Sequence, residues 1–256
     1  MRMVFWRGCL LLMMAMALQG CPKSKVQKKA KVYHDRAVRY YSLNKLEMAE
    51  QQCQLALEYN DKFEEAYNTL GLIALKRGQM KKAKGYFKRA LDINGKFAQA
   101  RNNLGHIYFQ NKKYKYAISF YRSALRIDPE IKEARFNLAR SYYITRDYKQ
   151  ARQQLVRLVA IAPRYLRAHI WLGSVEFQKK QWKKSAQHYL QAVTINPNHV
   201  GARLNLCRAL FQMGRYSLSC KHCRKATQLN PNLVEAKNSY KYVLGVLKKQ
   251  NKTCPL

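Results

Sequence analysis

One short phrase returns along the chain at a fixed interval. The segments ALEYN, ALDIN, ALRIDP, AVTINP and ATQLNP begin at Ala56, Ala90, Ala124, Ala192 and Ala226, and LVAIAP at Leu158 fills the one gap in a period of 34 residues. Such a period constrains folding more than any local propensity does. Each unit is one supersecondary element that cannot bury its apolar face alone, so it must stack on its neighbours. The register divides the chain into six units: 30–63, 64–97, 98–131, 132–165, 166–199 and 200–233.

Within the unit, small and large residues alternate in a way that suits a helical hairpin. The eighth position reads Ala37, Gly71, Gly105, Ala139, Gly173 and Cys207; the twentieth reads Ala49, Ala83, Ala117, Ala151, Ser185 and Ser219. The twenty-fourth, a core position, reads Cys53, Phe87, Tyr121, Leu155, Tyr189 and Cys223. Pro129, Pro163, Pro197 and Pro231 cannot continue a helix and turn the chain into the next unit. This pattern resembles the tetratricopeptide repeat. The resemblance implies an all-α fold, a right-handed superhelix of six repeats. The stretch 234–256 reads as a C-terminal capping helix and tail, with the polar Lys241 where a core residue would otherwise sit.

In such an array the first helix of each repeat lines the concave face, and helical periodicity brings positions 2, 5, 9 and 12 onto that lining. Position 12 holds Tyr41, Leu75, Phe109, Tyr143, Phe177 and Phe211, a ladder of five aromatics and a leucine. Phe136, Ile170 and Leu204 are expected to widen it into an apolar groove for a protein segment, since rigid aromatics anchor interfaces well. At position 6 stand Asn103, Asn137 and Asn205, interrupted by Trp171. The resemblance implies that asparagines there clamp the backbone of a bound peptide, because an amide serves donor and acceptor together. The carboxylate clamp of chaperone-binding repeats is not expected, since His34 and Val38 occupy its places.

The chain carries 49 Lys and Arg against 14 Asp and Glu, a formal charge of +35. Lysines recur at position 18 as Lys81, Lys115, Lys149 and Lys183, and Lys88, Arg89, Arg122, Arg157, Arg224 and Lys225 follow along the second helices. A solvated helix face is the ordinary meaning of such a run, and an anionic envelope surface is a second contact it would favour. No catalytic constellation or phosphate-binding glycine loop emerges, and the six histidines are scattered through different repeats. Neither an enzyme nor a cofactor is expected.

The first residues set the compartment. MRMVFWRG is basic, CLLLMMAMAL is an apolar run of signal-peptide length, and Leu18-Gln19-Gly20-Cys21 resembles the bacterial lipoprotein signal. That resemblance implies a signal peptide over 1–20, an acylated Cys21 beginning the mature chain, and, with Pro22 rather than Asp next, an outer-membrane anchor facing the periplasm. Residues 21–29 read as a basic tether, and export makes nucleic acid an unexpected partner. An oxidising compartment permits disulfides. Cys207 and Cys223 take the small and large core positions of repeat six, so a bridge across that hairpin is expected, with Cys220 reaching Cys254 and Cys53 left as a buried thiol. The competing arrangements are a Cys220–Cys223 bridge or a metal site with His222, zinc being the weakest.

A lipoprotein signal, a short basic linker and six tetratricopeptide repeats together resemble the pilotin lipoproteins of type IV pilus systems. The resemblance implies a protein that binds secretin subunits and promotes their assembly in the outer membrane, for pilus biogenesis and motility. The alternative is a different envelope scaffold that binds peptidoglycan or an outer-membrane machine.

Overall fold

The computed structural model describes residues 22–255; the signal, the lipoprotein motif and Cys21 lie outside them. The described residues form helices joined by short turns, and no strand occurs among them. None of these helices is long and apolar enough to cross a membrane. They fall into two compact units, one up to Pro129 and one from Glu130 onward. The first holds α1 (Pro22–Ser42), α2 (Leu46–Tyr59), α3 (Glu64–Lys76), α4 (Met80–Ile93), α5 (Ala98–Gln110) and α6 (Tyr114–Ile127). The second holds α7 (Lys132–Ile144), α8 (Tyr148–Ile161), α9 (Leu166–Gln178), α10 (Trp182–Ile195), α11 (Val200–Gln212), α12 (Tyr216–Leu229) and α13 (Val234–Lys249).

The helices keep the sequence register: α3, α5, α7, α9 and α11 each begin on the first residue of a repeat, and α13 begins on the next such position. The turn inside each hairpin explains why. Its fifteenth residue is left-handed every time, with φ of 61° at Asn44, 75° at Gly78, 58° at Lys112, 63° at Arg146, 57° at Lys180 and 71° at Gly214. One left-handed residue ends a helix by letting later amides satisfy its last carbonyls. Thus Gln79 N donates to Ala74 O at 2.8 Å, and Gln181 N donates to Glu176 O at 2.9 Å. Between hairpins, Asn60, Asn94, Asn196 and Asn230 each accept from the amide two residues on, at 3.0–3.1 Å. These side chains mimic a backbone turn, which is how the first two hairpins reverse without the proline that later repeats carry.

Packing inside each hairpin follows the small–large rule. A Cβ added at Gly71 would lie 2.4 Å from Phe87 Cε1, at Gly105 2.7 Å from Tyr121 Cε1, and at Gly173 2.6 Å from Tyr189 Cε1. The missing methyl is the space the ring fills. Two later repeats add a hydrogen bond at the same crossing: Ser185 Oγ donates to Gly173 O and Ser219 Oγ to Cys207 O, both at 2.8 Å.

Both ends of the array differ from the middle. The expected tether is helical from Pro22, because α1 runs unbroken into the first repeat. Proline suits a first helical position and the Lys-, Gln- and Ala-rich residues after it are good helix formers. At the other end α13 buries Ala236, Val243 and Leu247 in a cluster with Leu204, Cys207, Cys220, Cys223 and Ala226. Lys241 stands exposed, as a cap requires.

A candidate protein-binding face on the first helices

All six position-12 side chains are partly buried rather than free. In four repeats the cause is an aromatic at position 17, the first residue of the second helix. The ring centroids of Phe109 and Tyr114 are 5.4 Å apart, Tyr143 and Tyr148 5.4 Å, Phe177 and Trp182 4.8 Å, and Phe211 and Tyr216 5.1 Å. The first three pairs meet edge to face, the arrangement aromatic quadrupoles prefer. Each ladder ring is therefore held by its own hairpin with part of its surface left to solvent. In the first two repeats Leu46 and Met80 take position 17, and Tyr41 instead has Lys76 Nζ 4.9 Å from its ring centre.

The second unit gathers this face into a pocket of about 240 Å³ lined by Tyr143, Ser174, Phe177, Gln178, Tyr189, Asn205 and Arg208. Three successive first helices, α7, α9 and α11, contribute to it. Burial holds the Tyr143 phenol above its ordinary range and pushes that of Tyr189 up to about 12, so both remain neutral hydroxyls. The Tyr189 hydroxyl lies 3.0 Å from Ser174 Oγ. Arg208 supplies the one cation, paired with Glu235 at the start of α13. The pocket offers aromatic edges, an amide, hydroxyls and a guanidinium, a lining suited to an extended peptide rather than to a purely apolar one.

The asparagines of position 6 are all partly exposed on this face. Only Asn205 lines the pocket. In the first unit Asn103 Nδ2 donates to Asn68 Oδ1 at 2.8 Å and its own oxygen accepts from Asn102, so its amide is engaged within the repeats. Trp171 occupies the same position, with its ring centre 5.0 Å from that of Tyr143. Position 5 faces inward instead. Phe136 is 1% exposed and Leu204 3%, so neither widens a groove as expected; Ile170 is partly buried. The reason is cover from the elements that follow: the Tyr165 and Trp171 rings lie against Phe136, with centroids 5.8 and 6.3 Å away, and Leu204 packs in one cluster with Ala236, Val243 and Leu247 of α13.

The cysteines are disposed within the last repeat and beyond it. Cys207 bonds Cys223 across α11 and α12, and Cys220 bonds Cys254 in the tail after α13. The alternative Cys220–Cys223 bridge is not formed, and no cluster of metal-binding side chains occurs among the described residues. Cys53 is a free, buried thiol that burial pushes up to about 12. Two of the histidines are not scattered: His169 and His188 lie with ring centres 6.1 Å apart in repeat five. His169 is buried against Pro163 O at 2.8 Å, and burial lowers the pKa of His188. The first unit holds His34 against Thr69 Oγ1 at 3.0 Å, also with its pKa lowered by burial.

Models of the tetratricopeptide repeat match residues 64–97, 98–131, 136–200 and 200–233. No curated protein sequence matches the chain. Among solved structures, PilF of Pseudomonas aeruginosa is similar with a TM-score of 0.78 at 15% identity, over 85% of this chain and 99% of its own. PilW, a widely conserved type IV pilus biogenesis factor, is similar with a TM-score of 0.72 at 17% identity, over 82% of this chain and 97% of its own. YrrB, which has an unusual peptide-binding site, is similar with a TM-score of 0.63 at 18% identity, over 74% and 97%. At these identities the likeness is one of fold.

Proposed function

Because the chain belongs to the tetratricopeptide-repeat family, we propose that it is a non-catalytic, protein-binding lipoprotein that assists secretin assembly for type IV pilus biogenesis and motility. The lipid on Cys21 supplies an address at the periplasmic face of the outer membrane, and the first-helix face holds a segment of the secretin. The observation that carries the binding role is the pocket of the second unit, where Tyr143 and Phe177, each fixed by its own hairpin, stand beside Asn205 and Arg208. Preset aromatics cost little ordering on binding, and the amide can meet the donors and acceptors of an extended backbone. The pilus assignment draws support from the lipoprotein-like start of the sequence and from the likeness in fold to PilF and PilW.

The test is the detergent-resistant secretin multimer on a gel, in a strain lacking the protein and in one carrying Cys21→Ala. Secretin monomer accumulating without multimer in the deletion strain supports the role, and the point variant measures how far it depends on the lipid. Normal multimers in both strains overturn it.

A further inference from the structure

We propose that the second unit also carries a binding site for a multiply charged, phosphate-bearing anion, on the side of the second helices. A cavity of about 860 Å³ opens there, with Lys149, Arg152 and Arg157 of α8, Lys179 of the α9–α10 turn and Lys184 of α10 around it. It shares no lining residue with the first-helix pocket. No carboxylate lines it, and Val156 is its one apolar side chain. An apolar docking segment would find little to bury here. The volume falls in the range of ligand pockets, roughly 300–1,000 Å³.

The surrounding structure organises the cations. Arg152 Nε donates to Glu176 Oε1 at 2.6 Å; Glu176 is fully buried while the Arg152 side chain is 44% exposed. One edge of the guanidinium is thus anchored from inside and the group is presented in a fixed pose. Asp147, the nearest acid along α8, is occupied as the helix cap, accepting from Gln150 N at 3.1 Å. Cations around one cavity repel one another, since charges are screened only beyond a Debye length of about 8 Å in physiological salt. A multivalent anion relieves that repulsion at several points together. Phosphate suits the site better than a single carboxylate, because it brings up to two charges and three acceptor oxygens that match an arginine fork. Gln150, Gln153 and Gln181 add neutral donors to the wall. A soluble polyphosphate and the headgroup of an anionic phospholipid share this chemistry.

The test is titration calorimetry of the protein with sodium tripolyphosphate at about 150 mM salt. It compares the protein with Lys149→Gln/Arg157→Gln/Lys184→Gln, and with Lys81→Gln/Lys82→Gln/Lys88→Gln, which removes the same charge from α4. All six residues are exposed, and the Arg152–Glu176 pair is kept, so circular dichroism should be unchanged. The first variant should lose affinity about tenfold or more, which is about 1.4 kcal/mol or more of binding free energy; the second should stay close to the parent. Sedimentation with phosphatidylcholine vesicles, with and without phosphatidylglycerol, separates the sources. Capture by the anionic vesicles that the first variant loses assigns the site to a headgroup; tripolyphosphate binding without capture assigns it to a soluble anion. Equal losses in both variants, equally tight binding of polyglutamate, or no binding of either probe overturns the proposal.

Discussion

Gly105 and Gly85 lie in neighbouring repeats of one unit and should respond oppositely to the same change. Gly105→Ala drives a methyl into the Tyr121 ring and should cost about 1–3 kcal/mol, the usual range for overpacking. Gly85, exposed within α4, has nothing within 4 Å of an added Cβ, so Gly85→Ala should stabilise by about 0.5–1 kcal/mol. Urea denaturation of both variants checks the pair. A second residue sets a pH dependence. His222 is largely buried near Arg203 and Lys221, and burial first, then those charges, lower its pKa from 6.5 to about 4. The unfolded chain takes up this proton before the folded one. Stability should be full above pH about 6.5 and fall as pH drops toward 4, by less than the ceiling of about 3 kcal/mol, since the ring keeps some solvent contact. The gap between the thermal midpoints at pH 7.5 and 4.5 should narrow in His222→Gln, while the lowered His34 and His188 keep part of it. At this scale the sequence was most legible where packing dictates identity, as at positions 8, 20 and 24. It was least legible at the boundary between core and solvent. Phe136 and Leu204 read as groove residues because apolar character alone does not tell an inward face from an exposed one. The aromatics of position 17 were overlooked, although their recurrence as Tyr114, Tyr148, Trp182 and Tyr216 was available in the same register.

The hairpin is the unit in which those residues act together. Trp182 touches Phe177 from the second helix of its repeat, so Trp182→Ala should loosen the ladder ring without removing it. Capture of a partner segment should weaken by about tenfold, in line with loss of one rigid anchor, while helicity measured by circular dichroism stays near that of the parent. Repeat six replaces the glycine–aromatic contact of repeats two, three and five with a covalent bond between the same two positions, Cys207 and Cys223. Changing both to serine should cost about 2–4 kcal/mol, as removing a bridge of this loop length does. The double change Cys207→Gly/Cys223→Tyr restores the pairing of repeats three and five, and should regain part of that loss in a thermal melt. Hairpins and their boundaries were readable because one left-handed turn recurs at a fixed place. The turn residue itself was not, since Lys112, Arg146 and Lys180 adopt a conformation that favours glycine. Closure of the surrounding helices decides that geometry.

For the molecule as a whole, charge is the dominant unsatisfied quantity. A formal +35 meets few acids to offset it, and the pairs Arg77–Glu47, Arg77–Glu50 and Arg208–Glu235 leave solvent access on both partners. Self-repulsion at this level destabilises a compact state, and added salt screens it. The melting temperature should therefore rise between about 50 and 500 mM sodium chloride, with Lys→Gln changes on the second helices reducing the rise. Total charge was evident from composition; the Arg152–Glu176 anchor was not, because the two residues are 24 apart and meet only across helices. The tail has a mechanical consequence. Cys220 and Cys254 stand 34 residues apart, one full period, so the bond closes a ring around α13. Tension applied to the end of the chain passes through that bond into α12 and bypasses α13, which cannot be peeled away from its free end. A protease cut at residues 250–253 opens the ring yet should release no fragment, because Cys254 stays bonded to Cys220 until a reductant breaks that bond.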